Sequence, residues 1–439
     1  MLLSETPCPN RNRQLRPHLK KYLLCGRYRI RSKNNRYRCC CLRVIKIDNA
    51  QDAVSVFKKI GVDPYGIKAM ATKVHSINIL LEAQPCKIAN ILKQEMISVG
   101  GDAAVSRQSV SCGIEATDVL IMGTQKQIAA FAGKVEDQPF GLGKIARDID
   151  EIISHVNQNE YVLITSRREI KLGKKTLVMG ILNVTPDSFS DGGAFNDQKK
   201  AIDHALEMAD QGADIIDIGG ESTRPGANSV PLNIELKRVV PVVEYLAKKI
   251  KIPISVDTRK ERVAERSIDA GAEIINDISA LKADKKMAKT VRKTGAALII
   301  MHMRGRPETM QKGDLNYRDL MGEITGYLKK SAQKAMDAGV KKECLVVDPG
   351  IGFGKSVQDN YRIIKNLSEL KSLGFPIMIG TSRKSFLGQV IGGQPSDRLE
   401  GTAATVAASI MNGCHIIRVH DVAPMKKIAA VVDAVVHAQ

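Results

Sequence analysis

No apolar run in this chain reaches the roughly 18 residues that a membrane-spanning helix needs, and no hydrophobic signal-peptide core stands near the N-terminus. Both absences point away from a membrane protein and from a secreted one. Cysteines spaced C-x-x-C are missing as well. Five of the nine cysteines (Cys8, Cys25, Cys39, Cys40 and Cys41) crowd the head of the chain. Adjacent cysteines cannot easily share one tetrahedral ion, so this is no metal site. Cys86, Cys112, Cys344 and Cys414 stand singly in apolar or helical surroundings, the pattern of reduced thiols in a cytoplasmic protein.

Acids are nearly absent from the head. Residues 1–46 hold 13 Lys/Arg against Glu5 alone, so +12 of the net charge of +19 sits there and the remainder carries +7. The high basicity therefore describes the head and gives no ground for a nucleic-acid partner. Residues 1–42 have no clear periodicity; a transit peptide is one reading, though the segment is poor in Ser. They read as a disordered basic head, or as sequence upstream of the true start.

Order begins at Leu42. "LRVIKI", "SINILLE" and "TDVLIMGT" read as strands. "AQDAVSVFKKIG", "KIANILKQEMISVGG" and "FGLGKIARDIDEIISHV" read as helices, two of them with a glycine stop. Residues 43–165 are thus expected to form a small α/β domain. It holds no phosphate loop, metal spacing or nucleophile. Asp63 and Asp102 are turn acids, and the domain's role is not disclosed by its residues. It is expected to be an accessory domain whose loss, by deletion of residues 1–165, leaves the rest active.

After Glu169 a regular beat sets in. Short runs rich in Ile and Val recur: "LVMGILNV", "DIIDIGG", "PISVDT", "EIINDIS", "ALIIMHM", "CLVVDPG", "PIMIGTS" and "HIIRVHD". Helical stretches such as "DQKKAIDHALEMADQG" and "MAKTVRKTG" separate them. Near-continuous apolar strands alternating with helices imply a buried parallel sheet. Eight units over residues 166–439 predict a TIM (β/α)8 barrel preceded by the smaller α/β N-terminal domain; an open doubly wound sheet is the alternative. "EIKLGKKTLVM" is expected to form a hairpin that plugs the barrel bottom.

In a barrel the C-terminal strand ends share one rim, where chemistry sits. Here they are Asn183, Glu221-Ser222-Thr223-Arg224, Asp257, Asn276-Asp277, His302, Asp348, Ser382-Arg383-Lys384 and Arg418-Val419-His420-Asp421. Asp277 and Asp421 are readily taken as caps or turn residues. Helix capping alone does not bring Arg, Lys and His to the same face. "DPGIGFGKS" is not a phosphate loop, because Pro349 stands where the first glycine belongs. Its glycines are expected to let backbone pass close to a flat ligand.

Asp257, Asn276 and Asp348 can read the edge of a heterocycle that carries N–H donors, and Lys384 can donate to a ring oxygen or nitrogen. Arg418 and His420 lie two apart on one strand and face one side; with Arg224 and backbone amides they make an anion site. Asn183 offers a neutral oxygen to a hard cation such as Mg²⁺. The expected ligand is a heterocycle carrying phosphate or diphosphate.

"MGILNVTPDSFSDGG", "IDIGGESTRPGA", "ISVDT", "IND", "DPGIGFGK", "GTSRKSFLG", "RLEGTAA" and "IRVHDV" together resemble the dihydropteroate synthase family over about residues 176–437. Residues 43–160 are similar to the extension of some long members. The resemblance implies condensation of 6-hydroxymethyl-7,8-dihydropterin diphosphate with p-aminobenzoate to 7,8-dihydropteroate and diphosphate, in folate biosynthesis. It implies Asn183 as Mg²⁺ ligand. It places Asp257, Asn276, Asp348 and Lys384 on the pterin, with Ile278, Met301 and Gly380 against its faces. Arg418, Val419 and His420 match the diphosphate contacts, with Asn183, Thr223 and Arg224 beside them. Thr223, Pro225, Phe353 and Ser385 match the aminobenzoate side, with Arg383 near. Asp257, Lys384, Arg418 and His420 carry the catalytic roles. The long loop after Asn183 is expected to shield a pterin-centred cation from water, with Gly192 and Gly193 as hinges. The family further implies a homodimer through barrel helices and sulfonamides competing for the acceptor site. A pterin-dependent methyltransferase acting on methyltetrahydrofolate and a corrinoid shares the barrel. It does not need the "SRKS" lysine, the "ESTRPG" loop or the "RVH" pair, and all three are present.

Overall fold

The computed structural model describes residues 43–47, 49–185, 194–222, 229–306, 309–311 and 315–438, with residues 194–197 described by backbone only. Residues 43–47 form no strand, and Val44 is 98% exposed. The expected "LRVIKI" strand is thus not formed over residues 43–47, which pair with no strand among the described residues. Asn49–Gln439 forms one compact unit.

Its first part opens with α1 (Ala50–Ile60), capped by Asn49 and closed by left-handed Gly61, and α2 (Pro64–Met70), capped by Asp63. Strand β1 (Ser76–Pro85), α3 (Cys86–Ser98), β2 (Asp102–Val105), β3 (Ala116–Thr124), α4 (Gln125–Val135) and α5 (Leu142–Asn157) follow. The three strands form an antiparallel sheet in the order β1-β3-β2. Alternation turns Ile79, Val119 and Ile121 toward the helices, where they meet Leu92, Met96, Ile128 and Phe131 in a core of their own.

A short hairpin comes next, β4 (Tyr161–Ile164) paired antiparallel with β5 (Glu169–Leu172). The hairpin lies earlier than the sequence suggested. Leu177–Met179 belongs instead to the first barrel strand, because its apolar run is continuous with the strand's core. Thr165 makes the turn: its Oγ1 accepts from the backbone N–H of Arg168 at 3.0 Å. It also donates to Glu273 at 2.8 Å, pinning the hairpin beneath the barrel.

The barrel strands are β6 (Leu177–Asn183), β7 (Ile215–Gly219), β8 (Ile254–Asp257), β9 (Ile274–Asp277), β10 (Ala297–Met301), β11 (Leu345–Asp348), β12 (Met378–Ile379) and β13 (Ile416–Val419). All eight run parallel in the order β11-β10-β9-β8-β7-β6-β13-β12, and a bridge between Val347 and Ile377 closes the ring. This is the expected TIM barrel. Helices α6 (Ala194–Asp210), α7 (Leu232–Ala247), α8 (Glu261–Ala270), α9 (Met287–Thr294), α10 (Leu320–Asp337), α11 (Val357–Lys365), α12 (Ser385–Ile391), α13 (Leu399–Met411) and α14 (Val422–Val436) alternate with them. Among the described residues no helix is long and apolar enough to cross a membrane.

Strand alternation sorts side chains into two cores. Val178, Ile216, Val256, Ile275, Leu298, Val347 and Val419 face the helices. Leu177, Met179, Ile215, Ile274, Ile299, Val346, Met378 and Ile416 fill the lower interior, sealed by Tyr161, Leu163 and Leu172 of the hairpin. Continuing up the same inward stripes in steps of two meets Asn183, Asp217, Gly219, Asp257, Asn276, Met301, Asp348, Gly380, Arg418 and His420.

Candidate active site

The polar groups at the top of these stripes form one network. Arg418 donates from Nε to Asp217 Oδ2 at 2.6 Å and from Nη2 to Asp257 Oδ2 at 2.9 Å. Asn276 Nδ2 donates to the same Asp217 oxygen at 3.1 Å. Asp217 is fully buried and was missed in the motif reading. Its signal was visible: an acid in mid-strand in "DIIDIGG", in phase with inward-facing Ile215. Burial works against the charge of Arg418, yet Asp217 and Asp257 outweigh it and hold the guanidinium pKa up. Burial lifts the Asp257 carboxyl to about 7, with Arg418 pulling down and Asp217 adding to the rise.

Two buried oxygens in this network have no partner among the described residues, Asp217 Oδ1 and Asn276 Oδ1. A buried acceptor left unmade costs about 1–3 kcal/mol, which a ligand N–H would recover. Asp348 Oδ1 accepts from the Gly350 N–H at 2.7 Å. Burial raises Asp348 to about 6 against that hydrogen bond and against Lys384. Lys384 is brought down to about 8 by burial and by Arg418, with Asp348 opposing. Its Nζ stands 4.3 Å from the centre of the Phe353 ring.

Phe353 belongs to an apolar cluster with Ile278, Met301, Met303 and Met310. This is one contiguous wall, so residues expected to serve two different substrates pack together. Met303 also lines a cavity of about 680 Å³ with Arg259, Lys260, Lys282, Arg306 and Tyr327, which lies beside the carboxylate network and not over it.

His420 completes the rim. Its backbone N–H donates to Ser382 Oγ at 3.2 Å, and the hydroxyl lies 3.0 Å from Nδ1. Where the hydroxyl donates to Nδ1, the ring proton sits on Nε2. Burial, with Arg418 and Arg383 adding, lowers His420 to about 3, so it is a neutral donor. Asn183 ends β6, half-buried. A Cβ added to Gly219 would sit 3.7 Å from Asn183 Oδ1 and 4.0 Å from Asp257 Oδ2. The glycine leaves the gap between those two side chains open.

Other expected residues lie elsewhere. The Val419 side chain is buried against the helices, so only its backbone can face the rim. Arg383, at φ 56°, is held by Asp421 through Nε at 3.0 Å and Nη2 at 2.5 Å. Asp421 is thus an ion-pair partner and not a side-chain helix cap. Asp277 is the turn residue it was taken for, accepting from the N–H groups of Ser279 and Leu281 at 2.8 Å. Ser385 is exposed at the start of α12, and Gly380 stands beside Arg418. Thr223, Arg224 and Pro225 lie outside the described residues, as do Gly192, Gly193 and most of the first loop.

Two glycines of "DPGIGFGK" face the loop after β10. A Cβ at Gly350 would run into the carbonyl oxygen of His302, and one at Gly354 would come within 2.6 Å of that of Arg304. Both make room for the neighbouring loop, whereas a Cβ at Gly352 would meet the Lys384 side chain at 3.4 Å.

A family model described as pterin binding enzyme matches residues 179–420, more than half of the chain. The dihydropteroate synthase of Bacillus subtilis is 46% identical over 283 residues, covering 64% of this chain and 96% of that protein. A probable bifunctional folylpolyglutamate synthase/dihydropteroate synthase of Halobacterium salinarum is 36% identical over 385 residues, 86% of this chain and 45% of that protein. That likeness is too long to be confined to the barrel. The structure of Yersinia pestis dihydropteroate synthase with a sulfonamide drug is 43% identical, covers 62% of this chain and 98% of that one, and superposes with a TM-score of 0.59. Stripe, network and likeness agree, and the chain belongs to the pterin-binding enzyme family.

Proposed function

We propose that this chain is a dihydropteroate synthase, a transferase that joins (7,8-dihydropterin-6-yl)methyl diphosphate to 4-aminobenzoate and releases diphosphate. The observation that carries the reading is the unpartnered Asn276 Oδ1 among buried carboxylates, above an apolar wall. A pterin ring presents N–H donors along one edge and two flat faces. Asp257, Asn276 and Asp348 accept from that edge, Ile278 and Met301 take a face, and Lys384 donates to the ring. Arg418 spends two of its N–H groups on Asp217 and Asp257 and keeps the others for the diphosphate. His420 adds a neutral N–H. The methylene C–O bond breaks with its electron pair leaving on the diphosphate. The arylamine nitrogen supplies the pair for the new C–N bond and loses a proton. Arg418 and His420 stabilise the charge that develops on the leaving group.

Asn183 is the proposed Mg²⁺ ligand. Among the described residues no three His, Cys, Asp or Glu side chains gather as metal ligands. A single neutral oxygen beside an open gap suits an ion that takes its other ligands from phosphate and water. When bound, Mg²⁺ supplies further neutralisation of the leaving diphosphate.

Purified protein with Mg²⁺ and both substrates is expected to yield dihydropteroate by mass. Lys384→Ala should cut turnover by about 100-fold or more. Wild-type protein that binds the pterin diphosphate and forms no product with 4-aminobenzoate would sink the proposal.

A homodimer through the last barrel helices is part of the same proposal. Val390, Ile391, Met411, Val431, Val435 and Val436 are exposed there, on α12, α13 and α14. Light scattering is expected to give twice the chain mass; a monomer at micromolar concentration refutes it.

A further inference from the structure

Lys355 is the last residue of "DPGIGFGK", and its ammonium points into the protein. It is 2% exposed. Its Nζ lies within hydrogen-bond distance of four acceptors: Gly350 O at 2.9 Å, Phe353 O at 3.1 Å, His302 O at 3.4 Å and His302 Nδ1 at 2.9 Å. Burial and the neighbouring ammonium keep His302 well below the ordinary imidazole range, so its Nδ1 lone pair is free to accept. Among the described residues no carboxylate lies within hydrogen-bond distance of Nζ. Burial brings the Lys355 amine down to about 7, with Asp348 opposing, so a charge here is expensive, and a Met or Leu of similar volume would pack at lower cost.

The loop is coiled around that charge. Gly350, Gly352 and Gly354 take φ of 69°, 79° and 66°, alternating left-handed positions that turn the Gly350 and Phe353 carbonyls inward. Each carbonyl is one peptide unit from a substrate-facing group. The Gly350 N–H donates to Asp348 Oδ1. The Phe353 side chain lies in the wall with Ile278 and Met301 and under Lys384. His302 follows Met301 directly, so the same ammonium also ties the loop after β10 to the loop after β11.

We propose that Lys355 is a positioning residue for this reaction: it clamps the two loops together and so sets the Asp348 carboxylate and the Phe353 ring for the pterin and the arylamine. The inference rests on the dihydropteroate synthase reading of the site. Lys355 touches no reacting atom and acts through the Gly350 and Phe353 backbone.

The test compares full-length wild type with Lys355→Met, well below each protein's Tm. Affinity for (7,8-dihydropterin-6-yl)methyl diphosphate with Mg²⁺ is measured by calorimetry without acceptor. KM for 4-aminobenzoate and kcat are then measured separately. The expected result is pterin binding weakened about 10-fold and kcat/KM lowered about 100-fold, the scale of a reacting group displaced by about 1 Å. A folded variant with lower Tm but wild-type binding and turnover overturns the proposal, since a purely structural lysine would behave so. If Lys355→Met does not fold, His302→Leu decides. It removes the imidazole acceptor and leaves the three backbone carbonyls, and is expected to weaken pterin binding several-fold; wild-type constants there overturn the clamp. Inactive wild type would instead refute the reading of the site.

Discussion

Arg418→Ala is expected to cost about 3–5 kcal/mol of stability and to reduce turnover about 1000-fold, because it strips the shared partner from two buried carboxylates. Asp217 is fully buried and Asp257 is 8% exposed. With the guanidinium gone, either they repel each other or one must take up a proton. Asp257 is already lifted to about 7 by burial with Arg418 present, so it is the group that would protonate. A protonated Asp257 offers the pterin edge an O–H where it needs an acceptor. The loss therefore falls on pterin binding as well as on the leaving group. The companion variant Asp217→Asn separates the two effects. In the Arg418→Ala background it is expected to restore part of the lost stability by removing one unpaired charge, and none of the turnover. Urea unfolding and single-turnover kinetics of the four proteins form a double-mutant cycle. An unfolding midpoint for Arg418→Ala that matches wild type would mean that the ion pairs do not form in solution.

This network also marks how far the sequence could be read. The eight barrel strands were legible because each is buried on both faces and so is written in nearly continuous apolar residues rich in Ile and Val. The rim was legible because its polar residues interrupt those runs at their C-terminal ends. Partnership was not legible. Asp217 sits inside an apolar strand, and only closure of the barrel brings Arg418 from β13 across to it. Arg383 looked like a free cation beside the acceptor, but Asp421, 38 residues on, holds it. Lys355 looked like a failed phosphate-loop lysine, and its acceptors are backbone carbonyls that no residue type announces. "LRVIKI" had the composition of a strand, yet residues 43–47 pair with no strand among the described residues. Periodicity reports which face a residue takes, whereas the group it meets depends on the closed tertiary structure.

The second large effect concerns where the N-terminal part ends. A cut after residue 165 was expected to leave the barrel intact, yet the structure puts β4 at Tyr161–Ile164, inside the barrel's lower plug. Tyr161 meets the His415 ring edge-on at 4.9 Å, and Leu163 is fully buried. Thr165 and Arg168 both bind Glu273, itself 2% exposed, at the start of β9. Removing residues 1–165 takes away Tyr161, Leu163 and Thr165. It opens a cavity under the barrel and leaves Glu273 short of a partner. Each large buried side chain lost costs about 2–5 kcal/mol. The 166–439 fragment is thus expected to melt at least about 10 °C below a 159–439 fragment that keeps the hairpin. The longer fragment still loses α5, whose His155 accepts from Lys342 at Nε2 and donates from Nδ1 to the Ser372 carbonyl, each at 2.9 Å. Those contacts lie among the lower loops of the barrel, on the far side from the rim, so turnover by 159–439 should stay within a few-fold of full length. Calorimetry and steady-state kinetics of the two fragments give the answer. Equal melting temperatures would show that the hairpin is no plug. A folded 159–439 fragment without activity would show that the N-terminal part acts on catalysis and is not an accessory.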